Sequence, residues 1–284
     1  MSDASASVPG TPYPCTLAHL SDVHFGRIAD DRVVSALVDE VNAGGLDLVV
    51  VSGDLTQRAR RREFRAARAM LDAFEPPVLV VPGNHDVRAW WHHPVDRLWR
   101  PSKRFRRFIS DDTTPTVEVP GLAAFGLNSA HGWTIKGGRI RREHVREMEA
   151  FFAAQPAGAF RVLVVHHHLL RLDALGDHDV SRGARRALGA AQRSGVELVL
   201  CGHLHRSHVE PVELARPGGD GHRLVIASAG TATSNRGRGS NRGVNVYNWV
   251  EVGPDRFTVC ERRFDPGAGR FHDARQTAFD REPA

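Results

Sequence analysis

Apolar runs and helix-like stretches alternate along the chain. Strands are predicted at residues 16–20, 46–51, 78–81, 122–127, 162–165, 197–200, 224–227, 244–250 and 257–262. Several are unbroken Val/Leu runs with no polar alternation, the pattern of a strand covered on both faces. Helical spacing is read at residues 31–43, 59–74, 143–154 and 181–194. In the first of these, Val33, Val34, Leu37, Val38 and Val41 form one face, and Gly44-Gly45 ends it. The β-α-β-α-β order of the first half predicts a mainly parallel sheet with crossover helices. The closely spaced strands of the last third predict antiparallel pairing. The fold class expected is α/β, with two packed sheets. No repeat or long linker divides the chain. The expected organisation is a loose leader at residues 1–13, one domain at 14–265 and an irregular, polar tail at 266–284.

The polar residues that follow these strands carry the chemistry. SDVHFG (residues 21–26) follows the first strand, SGDLT (52–56) the second and PGNHD (82–86) the third; HHH (166–168) and CGHLH (201–205) follow later ones. In open α/β sheets, ligands bind beyond the carboxyl ends of the strands. Five such ends converging would gather carboxylates, imidazoles and an amide oxygen, a donor set suited to Mn, Fe or Zn. Asp22 and His24 alternate along an extended segment and so share a side, as do His203 and His205. Gly53, Gly83 and Gly202 each precede a candidate ligand and permit tight turns. Seven such ligands are too many for one ion and suit two that share a carboxylate.

The ordered set D-x-H, G-D, G-N-H-D, H and G-H-x-H resembles the calcineurin-like metallophosphoesterase family, and within it the bacterial class III cyclic-nucleotide phosphodiesterases. The motifs run from Leu17 to His205, and the likeness is expected to extend to about Arg263. The resemblance implies a four-layer α/β/β/α sandwich of two mixed sheets. It implies two metal ions, one held by Asp22, His24 and His205, the other by Asn84, a histidine of the triplet and His203, with Asp54 bridging. A hydroxide shared by the two ions would attack phosphorus in line. His85 would act as general acid or phosphate-binding group, with Asp86 orienting it, and Asn84, His85 and Arg236 would contact substrate. The family pattern has the first histidine off the strand as ligand, which assigns His166. His168 stands where proline is common, and a slip of one register would assign His167 instead.

Composition narrows the partners. The net charge is +5, nearly all from arginine, since lysine occurs only at 103 and 136; this suits anionic substrates. The three cysteines show no paired spacing, so neither a disulfide framework nor a cysteine zinc site is expected. No apolar run approaches membrane-spanning length, and the leader has no secretory pattern, so the expected location is cytoplasmic. His19, inside the first strand, reads as a core residue. RARRREFRAAR (58–68) reads as a solvated helix face partly paired with Glu63. SNRGRGSNRG (234–243) is either a solvent loop or a phosphate-closing loop acting through Arg236 or Arg238. Neither basic segment interleaves an aromatic platform for nucleic acid. RAWWHHPVDRLW (88–99) reads as a lid, a packing loop or a partner patch. The favoured function is hydrolysis of small phosphodiesters such as 3′,5′-cyclic nucleotides. A nuclease of the same superfamily is the alternative. A non-catalytic scaffold is disfavoured because every ligand position holds a suitable residue.

Overall fold

The computed structural model describes residues 14–88, 99–132, 137–216 and 219–281. Among the described residues, twelve strands form two six-stranded mixed sheets. The first comprises β1 (Cys15–Leu20), β2 (Leu48–Val51), β3 (Val78–Val80), β10 (Val246–Val252), β11 (Arg256–Asp265) and β12 (Arg270–Asp280), in the order β12-β11-β10-β1-β2-β3. The second comprises β4 (Thr116–Val119), β5 (Leu122–Leu127), β6 (Phe160–Val165), β7 (Leu198–Cys201), β8 (His208–Arg216) and β9 (Gly219–Ser228), in the order β4-β5-β6-β7-β9-β8. Pairing is parallel for β1-β2-β3 and for β5-β6-β7-β9, and antiparallel elsewhere.

Three buried layers make this a four-layer sandwich. Because side chains alternate across a strand, β2 sends Leu48 and Val50 between the sheets and Val49 and Val51 outward. The outward pair packs with Val33, Leu37 and Val41 of α1 (Asp31–Ala43) and Phe64 of α2 (Arg61–Asp72). The second sheet repeats the scheme: Val162 and Val164 face inward, while Leu163 and Val165 meet α4 (Arg142–Ala153) and α5 (Ala184–Arg193). The order is α/β/β/α, as the resemblance implies. Both faces of the central strands are covered, which is why their sequences lack alternation. Among the described residues no helix is long and apolar enough to cross a membrane.

The tail expected to be irregular is corrected: residues 270–280 are β12, paired with β11. Only Phe271 and Phe279 of this strand are anchored apolar residues, packed on Tyr247, Phe264 and Phe257. The rest is charged or polar and largely exposed, as befits an edge strand that must not pair with another molecule. Strands β4 and β8 and the short helix α3 (Lys103–Phe108) likewise carry too little apolar pattern to be read from sequence. Residues 1–13 and 89–98 lie outside the described residues, so the leader and most of the aromatic segment after GNHD do too.

Candidate metal centre

The parallel strands end side by side, and the chain turns sharply at each end. Six non-glycine residues among those described have φ between +49° and +72°: Asp22, His24, Asp54, Ala59, His203 and His205. Five of the six are sequence-predicted ligands. Asp and His tolerate this left-handed region better than most residues, yet each still costs on the order of 1 kcal/mol. Such strain persists only where surrounding structure enforces it, and here it turns the side chains into one pocket. Gly83 and Gly202 serve the same end by close approach. A Cβ on Gly83 would lie 2.1 Å from Asp54 Oδ1, and one on Gly202 would lie 1.8 Å from Ser21 Oγ and 2.7 Å from Asp22 Oδ2.

Three of the four candidate histidine rings, His24, His166 and His205, are held by backbone carbonyls. His166 Nδ1 lies 2.8 Å from the Ser52 carbonyl, His205 Nδ1 2.9 Å from that of Arg236, and His24 Nδ1 3.3 Å from that of Thr56. A carbonyl oxygen can only accept, so Nδ1 carries the proton and Nε2 is left as a bare lone pair in the neutral ring. Those Nε2 atoms converge. His24 Nε2 and His205 Nε2 face each other at 3.2 Å. His205 Nε2 is 3.1 Å from Asp22 Oδ1, His24 Nε2 is 3.6 Å from Asp54 Oδ2, and His166 Nε2 is 3.4 Å from Asp54 Oδ1 and 3.1 Å from Asn84 Oδ1.

The carboxylates are oriented in turn. Asp22 Oδ2 accepts from Ser21 Oγ and the His203 backbone N–H, at 2.8 and 2.9 Å. Asp54 Oδ1 accepts from the His85 backbone N–H at 2.8 Å. Their other oxygens, Asp22 Oδ1 and Asp54 Oδ2, are buried and accept no hydrogen bond. Burial opposes ionisation of both, but His205 and His24 around Asp22, and His166 and His85 around Asp54, hold both carboxyls well below the usual range. Burial also opposes a charged His166, and the Asp54 carboxylate overcomes it, raising the imidazole to about 9. Buried anionic oxygens that accept no hydrogen bond, ringed by imidazole Nε2 atoms, fit a cation, and the O/N set fits Mn, Fe or Zn. The histidines and carboxylates fall into two sets, Asp22/His24/Asp54/His205 and His166/His167/His203, each with ligand atoms within 4.8 Å of one another.

All seven predicted ligands thus meet in one place. Within the triplet, the roles separate. His166 points at Asp54 and Asn84. His167 bonds Ser129 Oγ through Nδ1 at 2.8 Å, its Nε2 has no partner, and its ring centroid is 4.5 Å from that of His203. His168 turns away to the Gly202 carbonyl, and burial lowers it to about 3. His19 is a satisfied core residue, bonded to Ser52 and Asn248.

His85 stands beside the pocket, its ring 4.8 Å from that of His24. Its Nδ1 is held by the Gln57 carbonyl at 2.8 Å, and Nε2 accepts from Arg236 Nη1 at 3.2 Å. Arg236 also reaches Gln57 Oε1 at 3.0 Å. Asp86 does not orient His85, correcting that expectation. Its carboxylate accepts from the backbone N–H groups of Gly83, Leu55 and Thr56 and from Thr56 Oγ1, and so ties the ends of β2 and β3 together. Burial and the Asp54 charge raise it to about 7. Gln57 and Ser129 went unnoticed in the sequence. Gln57 acts on His85 through its main chain, which no sequence pattern marks; Ser129 lay at a sixth strand end, β5, that carries no family motif.

The 234–243 segment is pinned over the pocket rather than loose. Ser234 bonds the Asp22 carbonyl, Asn235 N–H bonds that of Arg27, and Asn241 Oδ1 accepts from the Ser207 N–H. Glu63, in turn, is buried and accepts from the N–H groups of Arg58 and Arg60 at the start of α2, more a helix cap than a surface pair.

Comparison with known proteins agrees with this geometry. The profile of the calcineurin-like phosphoesterase family matches residues 15–207. The chain is 29% identical over 211 residues to the glycerophosphodiester phosphodiesterase GpdQ of Enterobacter lignolyticus (strain SCF1), covering 66% of this chain and 70% of that protein. It is 25% identical over 163 residues to the 3′,5′-cyclic adenosine monophosphate phosphodiesterase CpdA of Escherichia coli (strain K12), covering 56% of this chain and 54% of that one. Among solved structures, purple acid phosphatase PPD1 from yellow lupin superposes with a TM-score of 0.68 at 10% identity, over 97% of this chain and 55% of that chain. A dimetal phosphatase from Danio rerio gives 0.61 at 12% identity, over 94% and 99%. At these identities the two structures share the fold. With its motif residues gathered at adjoining strand ends of that fold, the chain belongs to the calcineurin-like phosphoesterase family.

Proposed function

We propose that the chain is a dinuclear-metal phosphodiesterase acting on small diesters such as 3′,5′-cyclic nucleotides or glycerophosphodiesters. The family is one of metal-dependent phosphoester hydrolases, and the names of GpdQ and CpdA supply the substrate classes. The observation that carries the reading is the pair of buried, unbonded oxygens, Asp22 Oδ1 and Asp54 Oδ2, amid inward-facing histidine Nε2 atoms. Asp22, His24 and His205 would hold one ion, Asn84, His166 and His203 the other, with Asp54 shared. Bound there, such ions supply Lewis acidity and neutralise charge on phosphoryl oxygens.

The chain's own groups do the rest. Arg236, half-buried at the pocket mouth, pairs with a non-bridging phosphoryl oxygen. A substrate phosphate that draws Arg236 off His85 frees Nε2 to carry a proton to the departing alkoxide. The Gln57 carbonyl keeps the ring aimed throughout. Cytoplasmic residence belongs to the same reading and is supported by three free, buried cysteines, Cys15, Cys201 and Cys260.

The test is a hydrolysis panel on protein reconstituted with Mn, Fe or Zn, comparing bis(p-nitrophenyl) phosphate, cyclic AMP and a glycerophosphodiester. Metal-dependent turnover that disappears in Asp54→Ala is expected. Absence of diester hydrolysis with every metal would overturn the reading.

A further inference from the structure

A groove of about 1050 Å³ opens beside the metal centre, and the chemistry assigned above does not use it. Its size is at the upper end for a small-ligand site. Arg100 and Lys103 line it from the segment around α3, Arg139 and Arg142 from the segment leading into α4, and Arg182 and Arg186 from the start of α5. All six are exposed. Glu143 is the one carboxylate lining it among the described residues, and it is engaged by Arg141 at 3.1 Å. Trp99, 81% exposed, stands on the rim.

Two of its walls meet the metal centre at His167. Asn128 and Ala130 line the groove on either side of Ser129, whose Oγ bonds His167 Nδ1. Gly138, just before Arg139, approaches the same ring so closely that a Cβ there would lie 2.8 Å from it. These walls are tied to each other through Arg139 N–H to the Ser129 carbonyl and Arg182 N–H to that of Gly138, both at 2.9 Å.

A cationic track with an aromatic platform, sharing a wall with a proposed phosphodiester site, is an arrangement suited to a single strand of nucleic acid. Phosphates run along the basic residues while a base stacks on the ring. We propose that this groove holds the flanking nucleotides of a short single-stranded nucleic acid and delivers one of its diesters to the metal centre. The inference rests on the phosphodiesterase reading above and extends its substrate class. A cyclic mononucleotide or glycerophosphodiester occupies the centre alone, whereas a strand uses centre and groove together.

The test measures fluorescence anisotropy of a labelled single strand of about 12 nucleotides on the full chain, alongside hydrolysis of bis(p-nitrophenyl) phosphate. Against wild type stand the triple variant Arg142→Gln/Arg182→Gln/Arg186→Gln and, separately, Trp99→Ala, all at exposed positions. Expected are strand binding that weakens steeply with salt, a loss of about a hundredfold in the triple variant and about tenfold in Trp99→Ala, with bis-aryl hydrolysis unchanged in both. Strand affinity unchanged in the triple variant overturns the inference. So does displacement of the strand by polyglutamate at equal charge, which would make the groove a docking surface for acidic protein. If wild type binds the strand but hydrolyses no diester, the phosphodiesterase reading fails and the binding surface stands.

Discussion

The candidate metal centre and the arginine groove adjoin at His167, yet they are built in opposite ways. The centre is buried, and backbone groups fix three of its rings and one oxygen of each carboxylate: Ser52, Thr56 and Arg236 carbonyls behind His166, His24 and His205, the His203 and His85 N–H groups behind Asp22 and Asp54. The groove is open, its guanidinium groups are exposed, and its named cationic residues come from three segments distant in sequence. Preorganised, desolvated groups suit chemistry, because they need not rearrange as charge develops. Exposed arginines suit recognition of a flexible polyanion, where affinity comes from displaced counterions rather than fixed geometry. Substitutions in the centre are therefore expected to change turnover, and those in the groove affinity.

The largest effect is expected at Asp54, the carboxylate proposed to serve both ions. Asp54→Ala should remove measurable diester hydrolysis and lower bound metal by elemental analysis, while circular dichroism stays near wild type. Turnover within tenfold of wild type would erase the contrast between the two regions. His85→Ala comes next, with a loss of about 10²–10⁴-fold in kcat on alkyl leaving groups and a smaller loss on p-nitrophenolate; equal losses on both would argue against proton donation. Asp86→Ala tests the frame rather than the chemistry. It strands three buried N–H groups, while the Thr56 hydroxyl keeps the His85 carbonyl as acceptor, so a stability loss of about 2–5 kcal/mol is expected in urea denaturation. Arg236→Gln should raise KM about tenfold with a lesser change in kcat, since one charge-assisted contact is worth about 1.5–3 kcal/mol.

Last comes a pH slope, which has no effect at neutral pH. His19 is buried among Ser52 and Asn248, and burial lowers it to about 3 from an ordinary value of 6.5. The unfolded chain therefore binds a proton there that the folded chain refuses as pH falls below 6.5. The contribution is whole above that pH and is lost toward pH 3, at about 1.4 kcal/mol per pH unit. His19→Asn should flatten the acid limb of the stability curve; an unchanged limb would show that other groups set it.

How much was legible follows from which residues repeat a rule. The first sheet's parallel core was readable because Leu48–Val51 and Val78–Val80 are continuous apolar runs separated by a helix of period 3.6. Strand β12 was not, since two phenylalanines among charged residues leave no period to detect. Motif spacing singled out Asp22, His24, Asp54, Asn84, His203 and His205, and these do meet. Spacing could not order the triplet, because three adjacent histidines differ only in where their rings are sent: to Asp54 and Asn84, to Ser129, or to the Gly202 carbonyl. It also misjudged Asp86, whose neighbour in sequence is His85 but whose carboxylate bonds lie across the loop on β2's exit.

By itself the sequence determined the layered α/β scheme and the identity of the candidate ligands, because hydrophobic period and strand-end motifs are local properties carried within a few residues. Only the tertiary structure decided which nitrogen of each histidine faces inward, that Gln57 rather than Asp86 aims His85, and that arginines from three remote segments line one groove with Trp99. Those outcomes depend on which backbone carbonyl or side chain arrives next to a residue when the sheets pack. That proximity is set by long-range pairing, and no local pattern in the chain encodes it.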